Sequence, residues 1–125
     1  MKKIPRISTA EWTVMKQLWR RRPQTAGELI ETLSESTEWG PATIKTLLNR
    51  LLRKGALRHQ KQGRAYWYSP AVSESDCQRE EANSLLARVF DGSVSPLLAH
   101  LVESEGITPA ELSEIEDLIK SRRAR

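Results

Sequence analysis

Apolar residues in the first half of the chain recur at spacings of three and four, which is typical of helices with one buried face. They predict three short helices, over about 8–20, 25–33 and 41–54. Ser8 and Glu11 have the spacing of a capping box, which begins a helix. Pro41 suits the first position of the third helix, and Gly55 suits the residue that ends it. The chain should therefore begin with a small helical cluster.

After Gly55 the pattern changes to two short runs that favour extended structure. Ala56–Gln62 and Ala65–Ser69 flank Gly63, a residue that can adopt the positive φ of a tight hairpin turn. Aromatic residues in the second run favour a strand, and Pro70 ends the pairing. Three helices followed by a β-hairpin is the order of a winged helix-turn-helix, in which the third helix enters the DNA major groove.

The third helix has an apolar face, which would meet the core, and a polar face on the opposite side. The residues predicted to contact DNA from that polar face are Ala42, Thr43, Lys45, Thr46, Asn49, Arg50 and Arg53. Arginine can read guanine, asparagine can read adenine, and threonine can meet a base edge or a phosphate. The hairpin residues predicted to lie along the phosphates are Arg58, Lys61, Gln62 and Arg64. His59 lies beside them and is expected to face a phosphate or solvent.

From Ser73 onward the pattern predicts three more helices, each with an apolar stripe. Gly106 is expected to end the second of these helices, and the terminal residues Arg122–Arg125 are expected to be frayed. A segment of about fifty residues is small for a stable core of its own, so we expect two copies to join through these stripes. The residues predicted for this dimer interface are Leu85, Leu86, Val89, Phe90, Leu97, Leu98, Leu101, Leu112, Ile115, Leu118 and Ile119. The alternative is that the stripes pack back onto the first half of the same chain.

The expected fold class is mostly α with a small β-hairpin wing. A winged helix-turn-helix DNA-binding domain is expected over residues 1–72, and a three-helix dimerisation domain over residues 73–125. Two-fold symmetry would place two recognition helices on half-sites about 10 bp apart, or a multiple of that.

Charge is distributed unevenly between the two halves. Residues 1–70 carry 14 Lys and Arg against 5 Asp and Glu, whereas residues 71–125 carry 6 against 11. The net charges are therefore +9 and −5, which sum to the +4 of the whole chain. A basic half joined to an acidic half indicates that one part meets a polyanion. A winged helix that binds a protein, without sequence-specific DNA binding, is the alternative, because the same fold serves both uses.

Other classes of protein find little support in the sequence. We find no phosphate-binding glycine loop, nucleophile motif or metal-ligand cluster, so we expect neither an enzyme nor a cofactor. Cys77 is the single cysteine, so no disulfide can form within one chain. No apolar run approaches the roughly 20 residues that span a bilayer, and no apolar stretch follows the basic Met1–Arg6. We therefore expect a cytoplasmic protein without membrane insertion.

Three stretches of the sequence also resemble a known family. Ile7–Trp19, Thr43–Leu57 and Gly63–Pro70 are similar to the penicillinase repressors, the BlaI/MecI/CopY family. The resemblance continues weakly from Phe90–Ser93 into the final helix and so covers nearly the whole chain. It implies a dimeric repressor with an N-terminal winged helix and a three-helix dimerisation domain. Such repressors bind palindromic operators in front of resistance genes and often their own promoter.

Departures from the family pattern bear on regulation. Relatives that are cleaved on induction carry an Asn-Phe bond in the helix that begins near Ser93, where this chain has His100–Leu101. The resemblance implies a pathway in which a membrane sensor protease detects β-lactam. The residue pair that is cleaved in those relatives is, however, absent at this position of the chain. The cysteine-rich hook of the copper-responsive branch is absent, and Ala42 stands where relatives often carry a lysine. A repressor is implied, but its inducer is not specified.

Overall fold

Six helices and a three-stranded sheet make up the part of the chain that the computed structural model describes, residues 3–125. Met1 and Lys2, part of the predicted basic start, lie outside the described residues. In chain order the elements are α1 (Thr9–Arg20), β1 (Gln24–Thr25), α2 (Ala26–Ser36), α3 (Pro41–Lys54), β2 (Leu57–Gln62), β3 (Ala65–Pro70), α4 (Glu74–Phe90), α5 (Val94–Glu103) and α6 (Pro109–Arg123). The predicted class, mostly α with a β-hairpin wing, is confirmed.

The chain forms two compact units. The first unit extends to Glu81, and the tail unit runs from Ala82 to Arg125. Helix α4 crosses from one to the other, and its N-terminal part includes Cys77, which is buried in the core of the first unit. A functional boundary between residues 72 and 73 stays a prediction.

Side-chain caps set the starts of the helices where the sequence predicted them. At α1 the Ser8 backbone N–H donates to Glu11 Oε1 at 2.8 Å, and the Glu11 N–H donates to Ser8 Oγ at 3.2 Å. The same reciprocal box begins α2 and α6. Helix α3 ends at Gly55, whose φ of +82° is a left-handed conformation that glycine adopts without steric cost. These contacts satisfy backbone groups that a helix end would otherwise leave unpaired.

Three helix ends differ from the prediction. Helix α2 continues through the segment expected to turn and ends at Ser36, because its last polar residues lie exposed and do not oppose the helix. Helix α5 ends at Glu103, before the predicted stop at Gly106, because the Ser104 hydroxyl caps it by donating to the Leu101 carbonyl at 3.1 Å. Fraying of the terminus was expected, but α6 continues to Arg123, where basic residues meet the negative end of the helix dipole.

Strand β1 is an element that the sequence did not predict. It pairs antiparallel with β3, with Gln24 opposite Tyr68 and Thr25 opposite Trp67, and the sheet order is β1-β3-β2. Two residues are too few to show the alternating pattern of a strand. Because Thr25 also caps α2, this short strand fixes the hairpin to the start of the helix-turn-helix.

The first unit has a continuous apolar core beneath α3. The core residues that α3 contributes are Ile44, Leu47, Leu48 and Leu51. Trp12 and Trp19 are half-buried against this core, as their positions on the apolar face of α1 predicted. The Trp19 indole Nε1 also donates to the Val72 carbonyl at 3.1 Å and so ties α1 to the segment before α4. Packing on one side of α3 leaves its polar side facing outward.

The tail unit buries its apolar side chains only in part. No residue of Ala82–Arg125 is fully buried, and the structure describes all of them. The large apolar side chains that remain exposed there are Leu85, Val89, Val94, Leu101, Val102, Leu112, Leu118 and Ile119. Within residues 3–125 no single helix is long and apolar enough to cross a membrane; α4 and α5 meet that criterion only together, as a pair bent by 96°.

Candidate nucleic-acid interface

The seven residues predicted to contact DNA from the third helix are all exposed on α3. The helical spacing places four of them in a line opposite the buried leucines, namely Ala42, Thr46, Asn49 and Arg53. Lys45 lies on one flank of this line, and Thr43 and Arg50 lie on the other. Without any acidic residue in α3, the outward face offers an amide, hydroxyls and cations. These are the groups that read base edges in a major groove.

The hydroxyl of Thr46 already has a partner within the helix. Its Oγ1 donates to the Ala42 carbonyl at 2.9 Å, one turn back. The hydroxyl proton is therefore used, while the oxygen can still accept a hydrogen bond and the methyl group stays free. In a major groove this arrangement suits a base amino group or a thymine methyl group.

The predicted wing is a hairpin with a two-residue loop. Gln62 pairs with Ala65, and Gly63 adopts φ +63° between them, as the sequence predicted. The four residues predicted to contact DNA from this hairpin, Arg58, Lys61, Gln62 and Arg64, are all exposed. They do not share one face, however, because strand side chains alternate. Arg58 and Gln62 lie on one face of β2, and Lys61 lies on the other.

The face that carries Lys61 also carries His59, which was expected to face a phosphate or solvent. The His59 ring is stacked on Tyr66, with ring centroids 4.7 Å apart and planes inclined by 21°. A second ring, that of Tyr68, lies 5.7 Å away at 49°. If the residues of the two strands are paired by counting outward from the turn at Gly63, His59 falls opposite Tyr68. The sequence alone could therefore have placed His59 beside these aromatic residues.

Charge around this surface has a single sign. Residues 39–73 contain no Asp or Glu but seven Lys and Arg. Within residues 3–125, only one of these seven cations forms an ion pair, and it is Lys54. The other six are exposed and unneutralised by any described carboxylate. They produce a positive potential over α3 and the hairpin that attracts a polyanion.

Lys54 instead ties the end of α3 to the start of the chain. Its Nζ donates to Glu11 Oε1 in a short hydrogen bond and to the Arg6 carbonyl at 2.9 Å. Burial alone raises the pKa of Glu11, but the hydrogen bonds from Lys54 and Ser8 outweigh it and hold this pKa below its ordinary value. Glu11 Oε2 is buried without a hydrogen-bond partner in the described residues. The spacing of Ser8 and Glu11 predicted the cap, but the buried pair with Lys54 was not predicted.

The residues predicted for the dimer interface divide by exposure. Those that are half-buried within the tail unit are Leu86, Phe90, Leu97, Leu98 and Ile115. The others are exposed, as are His100 and Leu101, which stand in α5 at the position of the bond that is cleaved in some relatives. The His100 ring lies 5.9 Å from that of Phe90. The assignment of these residues to an interface stays a prediction.

Helices α1 to α3, the hairpin and the acid-free basic surface define a winged helix-turn-helix protein. The model of the penicillinase repressor family matches residues 7–121. The chain therefore belongs to the penicillinase repressor family, a family of transcriptional repressors and not of enzymes.

Individual relatives agree with this assignment. The chain is 37% identical to the penicillinase repressor of Bacillus licheniformis over 125 residues, which is all of this chain and 98% of the relative. It is 30% identical over 116 residues to the methicillin resistance regulatory protein MecI of Staphylococcus aureus strain N315, with 93% and 94% covered. The solution structure of the monomeric form of B. licheniformis BlaI in complex with the blaP half-operator matches with 50% identity and a TM-score of 0.54, over 61% of this chain and 93% of that one.

Proposed function

We propose that this protein is a transcriptional repressor that binds a palindromic operator as a homodimer. Helix α3 lies in the major groove, the hairpin lies along the flanking phosphates, and the tail units join two copies. Its targets are resistance-type genes, by analogy with the penicillinase and methicillin resistance regulators among its relatives, and its own promoter. It acts in the cytoplasm, where that DNA is found.

The observation that carries this proposal is the acid-free surface of residues 39–73. Six exposed cations there have no ion-pair partner within residues 3–125 and accompany the polar line of α3. A surface without carboxylates does not repel the phosphates of a duplex. Each phosphate that its cations contact also releases condensed counterions, which favours binding. The BlaI structure supports the same use of the fold, since that relative binds a half-operator as a monomer.

Dimerisation is supported by the exposed stripes of the tail unit. Val89 and Leu118 are 56% and 69% exposed, and no residue of the unit is fully buried. A second copy is the partner that a palindromic operator requires, because each copy then reads one half-site. Linking two weak contacts in this way raises affinity by roughly 10²–10⁴-fold.

Release of the operator follows from the same arrangement. If a membrane sensor protease induces this protein, it cuts a bond of the tail other than Asn-Phe, because His100 and Leu101 stand at that position of α5. Separation of the two copies would then lower operator affinity while leaving α3 unchanged.

The test is selection of genomic DNA fragments by the purified protein, followed by binding of the enriched sequence at several salt concentrations. We expect a palindromic site, and log K should fall with log salt at about −0.9 per phosphate contacted. Arg64→Ala should weaken operator and scrambled duplex equally and reduce that slope by about one contact. Lys16→Ala, an exposed cation on α1, is the matched control. Equal affinity for operator and scrambled duplex would instead support a protein-binding winged helix.

A further inference from the structure

An open depression lies where α3 meets the hairpin. Its lining consists of Asn49, Leu52 and Arg53 from α3 and His59 from β2. Leu52 is half-buried, whereas the three polar residues are exposed. Amide, guanidinium and imidazole groups can all donate hydrogen bonds. An anion is therefore the ligand that this lining suits.

The imidazole of His59 is held from the wing side. It stacks on Tyr66 at 4.7 Å and packs at an angle on Tyr68 at 5.7 Å. Lys61 Nζ lies 6.0 Å from the centre of the Tyr66 ring, at the outer limit of a cation–π contact. Contact with two rings limits rotation of the imidazole before a ligand arrives. Less conformational entropy is then lost when its N–H donates to that ligand.

The charges around the depression favour a phosphate group as the anion. Arg53 forms no ion pair within residues 3–125, and the surrounding residues 39–73 contain no carboxylate. A guanidinium can donate two parallel hydrogen bonds to one phosphate group, which makes arginine a preferred phosphate ligand. Arg53 also belongs to the line of α3 opposite the core, so a duplex against that line would bring its backbone to this depression.

We propose that this depression holds one backbone phosphate of the operator, at the point where a DNA strand leaves the groove read by α3 and passes the hairpin. Arg53 and His59 donate to its oxygens, Asn49 borders the site, and Tyr66 positions the His59 ring. The proposal rests on the proposed function and extends it. Inorganic phosphate has the same chemistry, so the experiment must separate the two sources.

The experiment is a scan of single phosphates along the operator. Each backbone phosphate in turn is replaced by a neutral methylphosphonate, and binding is measured for wild type, Arg53→Ala and His59→Ala. The phosphates that the hairpin contacts should all be sensitive, and at one of them in each half-site the wild-type loss of about 3- to 10-fold in affinity should depend on Arg53 and His59. His59→Ala and Arg53→Ala should each lose a similar factor on the unmodified operator and should each lose less than wild type at that position, because only one of the two donors remains there. Gln60→Ala, the next residue along β2 on its opposite face, is the matched control and should behave like wild type.

Two further measurements complete the test. Tyr66→Phe keeps the aromatic stack and should bind within about twofold of wild type, whereas Tyr66→Ala should lose part of the His59 effect. Inorganic phosphate at constant ionic strength should displace wild type and His59→Ala from DNA equally.

Several results would overturn the proposal. One is wild-type affinity of His59→Ala for every duplex, and another is a loss at the same methylphosphonate that is as large in this variant as in wild type. Selective displacement of the wild type by inorganic phosphate would identify a site for free anions. If the wild type binds no operator at all, the proposed function fails as well. Failure of the phosphate site alone would leave operator binding intact, so the two failures can be distinguished.

Discussion

The two compact units differ most in how they treat apolar side chains. The first unit encloses a core in which Val14, Met15 and Leu18 of α1 are inaccessible to solvent. The tail unit, whose elements are all helices, has no fully buried residue and leaves Leu118 69% exposed. Burial of apolar area is the main favourable term in folding. The first unit therefore has its own source of stability, whereas the tail unit has apolar area left for a partner.

Under the proposed function, DNA binding and dimerisation therefore depend on separate units of the chain. The residues proposed to contact DNA lie on the unit that has its own buried core, and the residues proposed to join two copies lie on the other. Changes in the tail should therefore alter the oligomeric state and the apparent affinity without altering sequence preference. Changes in the first unit should do the reverse.

The largest expected effect comes from a charge placed in the tail stripe. Ile119→Glu should prevent dimerisation, because Ile119 is 45% exposed and its burial against a second copy would strand a carboxylate. Operator affinity should then fall by roughly 10²–10⁴-fold. Light scattering gives the oligomeric state, and Ser113→Glu, which adds the same charge away from the stripe of α6, is the control. A dimer that persists in Ile119→Glu would place the interface elsewhere.

A smaller effect, on stability, is expected at the buried pair of the first unit. Lys54→Met removes the partner of the buried Glu11 carboxylate and should lower the free energy of unfolding by about 3 kcal/mol. This is the lower end of the usual range, because the Lys54 side chain is 35% exposed. Urea unfolding provides the measurement. Lys45→Met, at an exposed cation without an ion pair in residues 3–125, should change stability by less than about 0.5 kcal/mol. Equal loss in both variants would contradict the role of the pair.

An effect on recognition is expected at Arg50, on the flank of α3. Arg50→Ala should lose about 1–3 kcal/mol of operator binding and accept base changes at one position of each half-site. Fluorescence anisotropy with a set of singly altered operators would measure this, with Lys16→Ala as the control. An equal loss on operator and scrambled duplex would assign Arg50 to the phosphates.

The smallest effect is confined to acid. Because the pKa of Glu11 lies below its ordinary value of 4.5 in the fold, the ionised carboxylate stabilises the fold fully above that pH. This contribution is lost as pH falls from there through the folded pKa. Glu11→Gln should therefore show a shallower decline of unfolding free energy than wild type below about pH 4.5. Glu31→Gln, on α2, is the control; a decline as steep as wild type in Glu11→Gln would point to other carboxylates.

Much of the first unit was predictable from local signals. Capping boxes such as Ser8 with Glu11, the glycines at 55 and 63, and the leucine spacing of α3 are all short-range features, and each agrees with the structure. The outward face of α3 follows directly from that spacing. Its residues were therefore found without knowledge of the tertiary contacts.

The remaining features depend on contacts between distant residues. Lys54 meets Glu11 across 43 positions, and Trp19 reaches Val72 across 53, and no local pattern encodes either contact. Strand β1 exists only because β3 lies beside it. In the tail, spacing predicted the stripes but could not say which side chains the helices cover themselves.

Strand β2 occupies an outer position in the sheet order β1-β3-β2, so one side of its backbone has no neighbouring strand. An unpaired edge of this kind invites another polypeptide to add a strand and so to aggregate. Arg58 and Lys61 are exposed on this same strand, and like charges would repel a second copy that approached along it. The residues assigned to hold DNA would thus also keep the protein from self-association through its hairpin whenever the operator has been released.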